Sequence, residues 1–558
     1  MNELSILIGG KAGFGIDKAS SIIGVILKEL GYNIYIYRDY PSLIRGGHTF
    51  SIIRASTEKV YSHKNQVDFI LALNQDTVNF HKNRLKKSSI IIYDSDSVKL
   101  EDLPFSIKTV VGIPIGKIIK DHKASEIMCN SCIIGSFCRA AGIKWEVLES
   151  GFKEDIVKEL ELNLKVALSG YNESKELISI ESFTKGDFPI ITGNEAIGQG
   201  LIKAGLKAYI SYPMTPSSGI LHYMAGVAEK LSLKVIHPES EIAVILMALG
   251  FSYAGEKVAV GTSGGGFCLM TEGLSFAAMA ELPIVIIVGQ RPGPSTGLPT
   301  YTSQTELHFV LNAGQGEFSR FVVAPGDPED AYYWSGVALN IAWKYQIPSI
   351  ILSDKTMAEG NYSFDMQAIK DIKEEQPILW DKKEEYKRYS NTERGISPLA
   401  FAPDKDAIIK VNSYEHDEFG ITTEDPGITK AMQDKRLAKE TYLSQELEGY
   451  ETVKIYGNET SPKAILSWGS NKGVAREAAE KMGLKLIHVQ VLWPFPIKKF
   501  QEALKGVNTL ISVENNATGQ LIKLVQGLGF RVDKKILKYD GRPFSVDELE
   551  EKLKTVLI

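Results

Sequence analysis

Three apolar runs in the middle of the chain are each followed by a loop rich in Gly, Pro, Ser or Thr. The runs lie at residues 208–212, 257–261 and 284–288, and stretches with helical spacing separate them. Strands that alternate with helices favour a parallel sheet covered on both faces. The carboxyl ends of such strands meet at one edge, where open α/β sheets bind ligands. The alternation therefore predicts both the fold class and the place of a functional site.

The same alternation extends toward both ends of the chain. At 558 residues the chain is too long for one hydrophobic core, so we expect several domains. We predict an α/β protein with three domains of mainly parallel sheets, at residues 1–185, 186–365 and 453–558. Residues 366–452 form a charged connector. Between residues 365 and 395 regular apolar spacing is lost, and we expect that stretch to be solvated.

Charge and cysteine usage exclude several classes of protein. A formal net charge of -5 gives no basic footprint for nucleic acid. The best membrane-span candidates, 242–255 and 258–271, are shorter than the roughly 18 apolar residues a span requires. The N-terminal residues are typical of a strand rather than of a signal peptide. The chain has 4 cysteines, which fits a reducing compartment, so we expect a cytoplasmic protein without membrane partners.

The front of the chain carries a glycine loop between a predicted strand at 4–8 and a predicted helix. Gly10, Gly13 and Gly15 place backbone N–H groups at a helix N-terminus, where a phosphate can bind. Their order is the reverse of a dinucleotide fingerprint, although Asp39 follows the second strand as a ribose-binding acid would. A tight strand-to-helix turn explains the glycines equally well, and both interpretations stay open.

A second unusual segment follows at residues 37–48. It contains two arginines, a Gly pair and a histidine, among them Arg45 and His48. These residues can hold an anionic ligand or form a structured interdomain loop, and composition does not decide between the two.

The central loops carry the most informative side chains. Ser217 lies in a Pro/Ser/Thr turn, where its hydroxyl either caps the next helix or binds a ligand. Glu241 begins a helix that is apolar on all sides, which predicts that this helix is buried. A buried carboxylate costs free energy unless a group pairs with it. The N–H groups of its own helix could be that partner, without any functional role. Arg291 is the one cation expected at this edge, and its fork suits a carboxylate.

Together these motifs resemble the 2-oxoacid:ferredoxin oxidoreductases, in the order of members whose gamma and alpha parts are fused. The loop Tyr-Pro-Met-Thr-Pro-Ser-Ser differs from the family's Tyr-Pro-Ile-Thr-Pro-Ser-Ser only at Met214. The front segment is similar to the gamma domain. The other similar stretches are Gln-Arg-Pro-Gly-Pro-Ser-Thr-Gly-Leu-Pro-Thr (290–300), Tyr-Glu-His-Asp-Glu-Phe-Gly (414–420), and Leu-Trp-Pro-Phe-Pro (492–496) with Val-Glu-Asn-Asn (513–516) of a transketolase-like C-terminal domain.

The resemblance implies roles for particular residues. Glu241 matches the glutamate that activates thiamine diphosphate at its pyrimidine ring, and Thr215 and Arg291 match residues that bind the substrate carboxylate and line the thiazolium. The further residues expected to contact the cofactor are Tyr212, Pro213, Ser217, Gly264 and Gly265. Coenzyme A, the co-substrate, is associated with the gamma domain, which makes Gly10, Gly13, Gly15, Arg45 and His48 candidates for its binding or for an interdomain loop.

Two parts of the expected chemistry are missing from the sequence. No Gly-Asp-Gly motif for Mg²⁺ and diphosphate occurs, and Cys129, Cys132 and Cys138 lie on an apolar stretch typical of buried structural cysteines. We therefore expect no metal ligands here. The resemblance implies a beta subunit that carries the Mg²⁺–diphosphate site and a [4Fe-4S] cluster, in a heterodimer or a dimer of heterodimers that passes electrons to ferredoxin.

The expected reaction is oxidative decarboxylation of a 2-oxoacid with coenzyme A to an acyl-CoA and CO₂. Fused gamma–alpha chains favour 2-oxoglutarate or a broad specificity that includes pyruvate. Three alternatives remain: a beta-type subunit of a 2-oxoacid dehydrogenase complex, an NAD-dependent dehydrogenase, and a non-enzymatic scaffold subunit. The first lacks a gamma-like domain, the second leaves Glu241 unexplained, and the third is inconsistent with an intact Thr215, Glu241 and Arg291.

Overall fold

The computed structural model describes residues 2–42, 47–101, 103–104, 109–184 and 188–557. The chain divides into two compact units. The first unit comprises Met1–Ile191, Gly360–Asp365 and Phe544–Ile558, and the second comprises Thr192–Glu359 and Met366–Pro543. The predicted division into three domains and a connector is finer and stays a prediction.

The chain contains helices and strands in alternation along most of its length. Up to residue 192 they are β1 (Glu3–Lys11), α1 (Ile16–Glu29), β2 (Asn33–Asp39), β3 (His48–Ser56), β4 (Val67–Ala72), α2 (Gln75–His81), β5 (Leu85–Asp94), β6 (Val110–Ile113), α3 (Ile115–Asp121), α4 (Cys129–Ala140), α5 (Trp145–Asp155), α6 (Leu160–Asn172) and β7 (Ile190–Thr192). Up to residue 363 they are α7 (Gly193–Lys203), β8 (Ala208–Ser211), α8 (Ser218–Leu231), β9 (Lys234–Ile236), α9 (Glu241–Tyr253), β10 (Val258–Ser263), α10 (Gly264–Met279), β11 (Ile284–Gln290), α11 (Leu307–Asn312), β12 (Phe321–Val323), α12 (Pro328–Tyr345), β13 (Pro348–Asp354), α13 (Lys355–Glu359) and β14 (Asn361–Ser363). The remainder are α14 (Pro426–Leu447), β15 (Val453–Gly457), β16 (Lys463–Trp468), α15 (Asn471–Met482), β17 (Lys485–Val489), β18 (Val491–Trp493), α16 (Ile497–Ala503), β19 (Thr509–Glu514), α17 (Gln520–Gly527), β20 (Lys534–Leu537) and α18 (Val546–Leu557).

The first unit is built on one mixed sheet with the strand order β6-β5-β4-β1-β3-β2-β14-β7. Strands β1, β4, β5 and β6 pair in parallel, whereas β3 pairs antiparallel with both β1 and β2. The C-terminal helix α18 belongs to this unit, where the Val546 N–H donates to the His63 carbonyl at 3.1 Å. The sequence predicted β1 and β2, but β3 was not predicted.

The second unit contains two sheets, in the orders β18-β12-β13-β11-β10-β8-β9 and β15-β17-β16-β19-β20. In the larger sheet every described pairing is parallel except that of β12 with β18, and in the smaller one only β15 with β17 is antiparallel. The α/β class with mainly parallel sheets is therefore confirmed. Strand β10 lies between β8 and β11, so the loops after β8 and β11 share one edge with the first turn of α10, which follows β10 directly.

The expectation that α9 is buried on all sides is wrong. Val244, Ile245 and Ala248 are buried against the sheet, but Ile242 is 51% exposed and Leu246 is 45% exposed. The apolar sequence of this helix therefore produces one face that packs in the chain and one apolar face that the chain leaves open.

Residues 366–395 are mostly exposed, as expected for a solvated stretch, but the later part of the connector contains buried charged side chains. Residues 426–447 form the long helix α14, and the side chains of Lys435 and Lys439 on it are fully buried. Both lysines donate to the carboxylate of Glu281, which follows α10 and is 1% exposed. Burial alone would raise the pKa of Glu281, but the two lysine charges lower it well below its ordinary value.

The segment Tyr414–Gly420 packs beside the cluster of Glu281, Lys435 and Lys439. The ring of His416 stacks on that of Tyr389, with centroids 3.8 Å apart, and the carboxylate of Glu415 accepts from Arg436 of α14 at 2.6 Å. The motif therefore acts in the structure as part of the connector's packing against α10, because Nε2 of His416 also lies 3.4 Å from the Met279 carbonyl.

Replacing Glu281 tests whether this buried cluster stabilises the second unit. Glu281→Gln leaves two buried ammonium groups without their carboxylate, and breaking such a pair costs about 3–5 kcal/mol. We expect a clear fall in Tm in a thermal melt. Glu272→Gln, an exposed glutamate on α10, serves as the control and should leave Tm unchanged. Equal melting of the two variants would mean that the cluster contributes nothing to stability.

Candidate active site

The loops after β8 and β11 and the first turns of α9 and α10 surround a cavity of about 540 Å³ in the second unit. The side chains and backbone that line it come from four parts of this unit: the loop after β8, the first turns of α9 and α10, and the segment from Arg291 to α11. Its wall includes Met214, Glu241, Gly264, Gly266, Arg291 and Glu306. The cavity therefore lies at the predicted edge of the sheet.

Glu241 occupies the wall of this cavity as a buried carboxylate. It is the first residue of α9, whose start is fixed by Ser240, the N-cap residue that accepts from the Ala243 N–H at 3.5 Å. Glu241 is only 6% exposed, and within the described ranges no hydrogen bond or ion pair satisfies its carboxylate. The N–H groups of α9 therefore do not satisfy this carboxylate. A hydrogen-bond donor on a bound ligand would satisfy it.

Glycines make room for the carboxylates at the start of α10. A Cβ built on Gly266 would meet the Thr262 hydroxyl and lie 2.6 Å from Oε1 of Glu241, and one built on Gly264 would lie 2.7 Å from Oε1 of Glu306. At Gly265 the nearest such neighbour is a backbone oxygen at 3.8 Å. Two of the three glycines are therefore required by the carboxyl groups that flank them.

Arg291 lies beside the loop after β8, as predicted. Its Nη1 donates to the backbone carbonyl of Thr215 at 3.0 Å, and the side chain is 8% exposed. Its Nε is buried and has no hydrogen-bond partner in the part of the chain that the structure describes. Burial lowers the pKa of Arg291, while the charge of Glu306 opposes that shift. The guanidinium thus keeps one edge free for an anion.

The remaining predicted cofactor residues are distributed unevenly. Gly264 and Gly265 line the cavity, but Tyr212, Pro213, Thr215 and Ser217 are not among its lining residues, and Met214 alone represents their loop. Tyr212 and Pro213 are exposed. Ser217 is the N-cap residue of α8 without a side-chain capping bond, because its hydroxyl donates to the Met214 carbonyl at 2.8 Å. That bond shapes the turn that holds Met214 in the cavity wall.

Sequence reasoning missed Glu306, which lines the cavity just before α11. Burial raises the pKa of this carboxyl to about 7, against the hydrogen bond from Thr305 and the charge of Arg291, which lower it. Its Oε1 accepts from the Thr305 hydroxyl at 2.9 Å, and its Oε2 is buried without a partner in the described residues. No motif marks this position, because Glu306 reaches the cavity only through the fold of the preceding loop.

The C-terminal segment holds that loop through Gln304. Its side-chain amide donates to the Trp468 carbonyl at 2.8 Å and accepts from Asn471 at 2.8 Å and from the Asn515 N–H at 2.9 Å. The backbone N–H of Gln304 donates to the Asn515 carbonyl at 2.8 Å. Gln304 is fully buried, so one side chain joins the loop to β16, α15 and the end of β19.

Two further contacts complete this attachment. The Gln520 amide donates to the Thr305 carbonyl at 2.7 Å, and the Thr302 N–H donates to the Gly541 carbonyl at 3.0 Å. The Val-Glu-Asn-Asn motif and α17 therefore act on the cavity indirectly, because they fix the backbone from which Glu306 projects.

The front-unit candidates form a separate group. Gly13 and Gly15 have positive φ values of 97° and 67°, and a Cβ on Gly15 would lie 2.8 Å from Asn130, so the strand-to-helix turn itself requires glycine. Nε2 of His48 lies 2.9 Å from Nε2 of His81. Arg45 lies outside the described residues, and a ligand role for this group, Gly10 included, stays a prediction.

The cysteines match the expectation for structural residues. Cys129, Cys132 and Cys138 are buried in the first unit, and burial raises the pKa of Cys129 and Cys132 to about 12. Cys268 is exposed and lines the cavity. Within the described ranges no group of three His, Cys, Asp or Glu side chains is placed to hold a metal ion. None of the helices described is both long and apolar enough to cross a membrane.

The chain is similar to known proteins over its whole length. Residues 199–434 match the model of "Pyruvate flavodoxin/ferredoxin oxidoreductase, thiamine diP-bdg", and residues 5–173 match that of "Pyruvate ferredoxin/flavodoxin oxidoreductase". A 2-oxoacid:ferredoxin oxidoreductase subunit alpha from Sulfolobus sp is 33% identical over 100% of this chain and 97% of its own length. The 2-oxoglutarate synthase subunit KorA of Archaeoglobus fulgidus is 29% identical over 61% of this chain and 91% of its own.

A solved structure extends the match to the fold. The 2-oxoglutarate:ferredoxin oxidoreductase from Magnetococcus marinus, solved with 2-oxoglutarate, coenzyme A and succinyl-CoA bound, has a TM-score of 0.90 and 28% identity over 100% of both chains. These matches do not favour a 2-oxoacid dehydrogenase subunit or an NAD-dependent dehydrogenase.

Substitution of the α10 glycines tests the cavity geometry. Gly266→Ala places a methyl group against Glu241 and Thr262, and overpacking of this kind costs about 1–3 kcal/mol. Gly265→Ala adds the same methyl group where space is open. We expect a lowered free energy of unfolding in denaturant titrations for Gly266→Ala and little change for Gly265→Ala. If both variants unfold like the wild type, Glu241 does not lie where the structure places it.

Proposed function

The chain belongs to the family of 2-oxoacid:ferredoxin oxidoreductase alpha subunits, and from this premise we propose which residues perform its part of the reaction. As a thiamine-diphosphate-binding subunit of such an enzyme, it takes part in converting a 2-oxoacid and coenzyme A to an acyl-CoA and CO₂. The assignment rests on one observation: the buried carboxylate of Glu241 and the guanidinium of Arg291, whose Nε has no partner among the described residues, line the same cavity.

Glu241 is proposed to hold the cofactor's pyrimidine ring. The residues present fit this group, because a buried carboxylate without a donor lines a cavity whose wall is kept open by Gly264 and Gly266. Thiamine diphosphate, when bound, supplies a carbon nucleophile that adds to the ketone of the 2-oxoacid. Glu241 then holds a proton at the ring nitrogen, while Gly264, Gly265 and the loop of Tyr212, Pro213 and Ser217 bound the cofactor space.

Arg291 and Thr215 are proposed to fix the substrate carboxylate. Nη1 of Arg291 is committed to the Thr215 carbonyl, which sets the direction of the guanidinium plane. The Nε edge remains for a carboxylate, and a planar fork holds such a group with two hydrogen bonds. The ketone of the substrate is then presented toward the cavity.

Another chain is proposed to complete the site. The apolar face of α9, with Ile242, Leu246 and Met247 each more than two-fifths exposed, and Leu269 of α10, 50% exposed, lie on the two helices that begin at the cavity. Apolar surface of this kind marks a protein–protein interface. We assign it to a beta subunit that contributes Mg²⁺, the diphosphate site and a [4Fe-4S] cluster, in a cytoplasmic heterodimer or dimer of heterodimers that reduces ferredoxin.

The proposal extends to domains and substrates. Residues 1–185 form the gamma-type domain, 186–365 the pyrimidine-binding domain, 366–452 the connector and 453–558 the transketolase-like domain. The Magnetococcus marinus enzyme was solved with coenzyme A and 2-oxoglutarate. This supports coenzyme A as co-substrate, with Gly10, Gly13, Gly15, Arg45 and His48 as candidate contacts, and 2-oxoglutarate as the first 2-oxoacid to test, with pyruvate next.

Glu241→Gln tests the proposed role of the carboxylate. The amide keeps the size of the side chain but cannot stabilise a protonated ring nitrogen. Contributions of this kind are typically about 10²–10⁴-fold, so we expect kcat of the reconstituted complex to fall by that factor with 2-oxoglutarate or pyruvate. Glu272→Gln should match the wild type. Turnover of Glu241→Gln within about twofold of wild type would assign the role to another group.

A further inference from the structure

Glu306 is a buried carboxyl in the candidate active site that the proposed function leaves without a role. We infer that Glu306 takes up one proton when a 2-oxoacid carboxylate occupies Arg291, so that it is a substrate-linked proton site. The inference rests on the proposed function of Arg291 and goes beyond it, because it assigns a second residue that controls binding of the anionic substrate.

The geometry places two unsatisfied polar atoms in one cavity wall. Oε2 of Glu306 and Nε of Arg291 are both buried, and neither has a hydrogen-bond partner among the described residues. The described contacts contain no ion pair between these two side chains, although each influences the other's pKa. The space between them is therefore available to a ligand rather than closed by a direct salt bridge.

Among the residues that the structure describes, Arg291 is the permanent cation beside Glu306. The groups that face or adjoin it from the surrounding elements are Arg291 after β11, Glu241 at the start of α9, Cys268 on α10 and His308 on α11. A substrate carboxylate that binds Arg291 adds a negative charge to a site that already holds Glu241 and Glu306. The substrate then competes with Glu306 for the same guanidinium, and like charges in a buried site oppose each other.

Uptake of one proton by Glu306 removes this conflict. Burial already places its pKa at about 7, so protonation near neutral pH requires little free energy. A bound carboxylate raises that pKa further, because it adds a like charge and neutralises Arg291. Thr305 and the backbone fixed by Gln304 keep the carboxyl in place in both protonation states.

The sign of the pH dependence follows from this linkage. Below pH 7 Glu306 is protonated before the substrate arrives, so affinity does not depend on pH. Above pH 7 the free site is ionised and binding must take up a proton, so affinity falls by about tenfold for each pH unit until the pKa of the bound form is reached. Glu306→Gln mimics the protonated form, so its affinity should match the wild type at pH 6 and exceed it at pH 9.

The test uses the complex of the full chain with its beta subunit and two probes, 2-hydroxyglutarate and lactate, which keep the carboxylate but have no ketone to react. Calorimetry from pH 6 to pH 9, in buffers of different ionisation enthalpy, gives both Kd and the protons taken up. The wild type and the control Glu272→Gln should take up nearly one proton at pH 8. Glu306→Gln should take up none and bind with a Kd that does not change with pH.

The variants separate failure of this inference from failure of the proposed function. Arg291→Lys should weaken the probe at every pH, because the fork is lost while the charge remains. If Arg291→Lys is weakened but Glu306→Gln keeps wild-type proton uptake, the role of Glu306 is wrong and that of Arg291 stands. Unchanged binding by Arg291→Lys, or no binding of either probe to the wild type at pH 6, overturns both.

Discussion

The parallel pairing of β8, β10 and β11 is the constraint on which the rest of the site depends. Because β10 lies between the other two strands and β9 pairs with β8, the loops after β8 and β11 and the starts of α9 and α10 are brought to one edge. Glu241 and Arg291, 50 positions apart in the sequence, thereby line one cavity. Neither residue reaches the cavity by local conformation alone.

Burial in this cavity controls the chemistry of its charged groups. Removal from water raises the pKa of Glu306 and lowers that of Arg291. Burial thus disfavours the charged form of both groups, and a ligand that pairs with either one changes that balance. The cluster of Glu281 with Lys435 and Lys439 shows the contrasting case, since its charges are satisfied within the protein and lower the pKa of Glu281. Charged groups at the cavity lack partners and suit ligand binding, whereas the charged groups of the Glu281 cluster have partners within the protein and suit a structural role.

Local sequence patterns predicted β8, β10 and β11 and the edge that they share, because period and turn chemistry are short-range properties. The resemblance, rather than the pattern, placed Glu241 and Arg291 in one site. Local patterns did not predict Glu306, since its position depends on hydrogen bonds between Gln304 and Asn515, which are far apart in the sequence. They also did not predict α14, whose lysines are buried beside Glu281, a residue far away in the sequence. The open face of α9 was missed because an apolar sequence does not specify which chain covers it.

The central claim is that this chain supplies one half of a thiamine diphosphate site and a partner supplies the other half. Calorimetric titration of thiamine diphosphate with Mg²⁺, into the single chain and into the reconstituted complex, tests that claim most directly. The account predicts tight binding to the complex and weak or no binding to the chain alone, because the face beside Glu241 remains open without a partner. Tight binding of the cofactor to the purified single chain would contradict it.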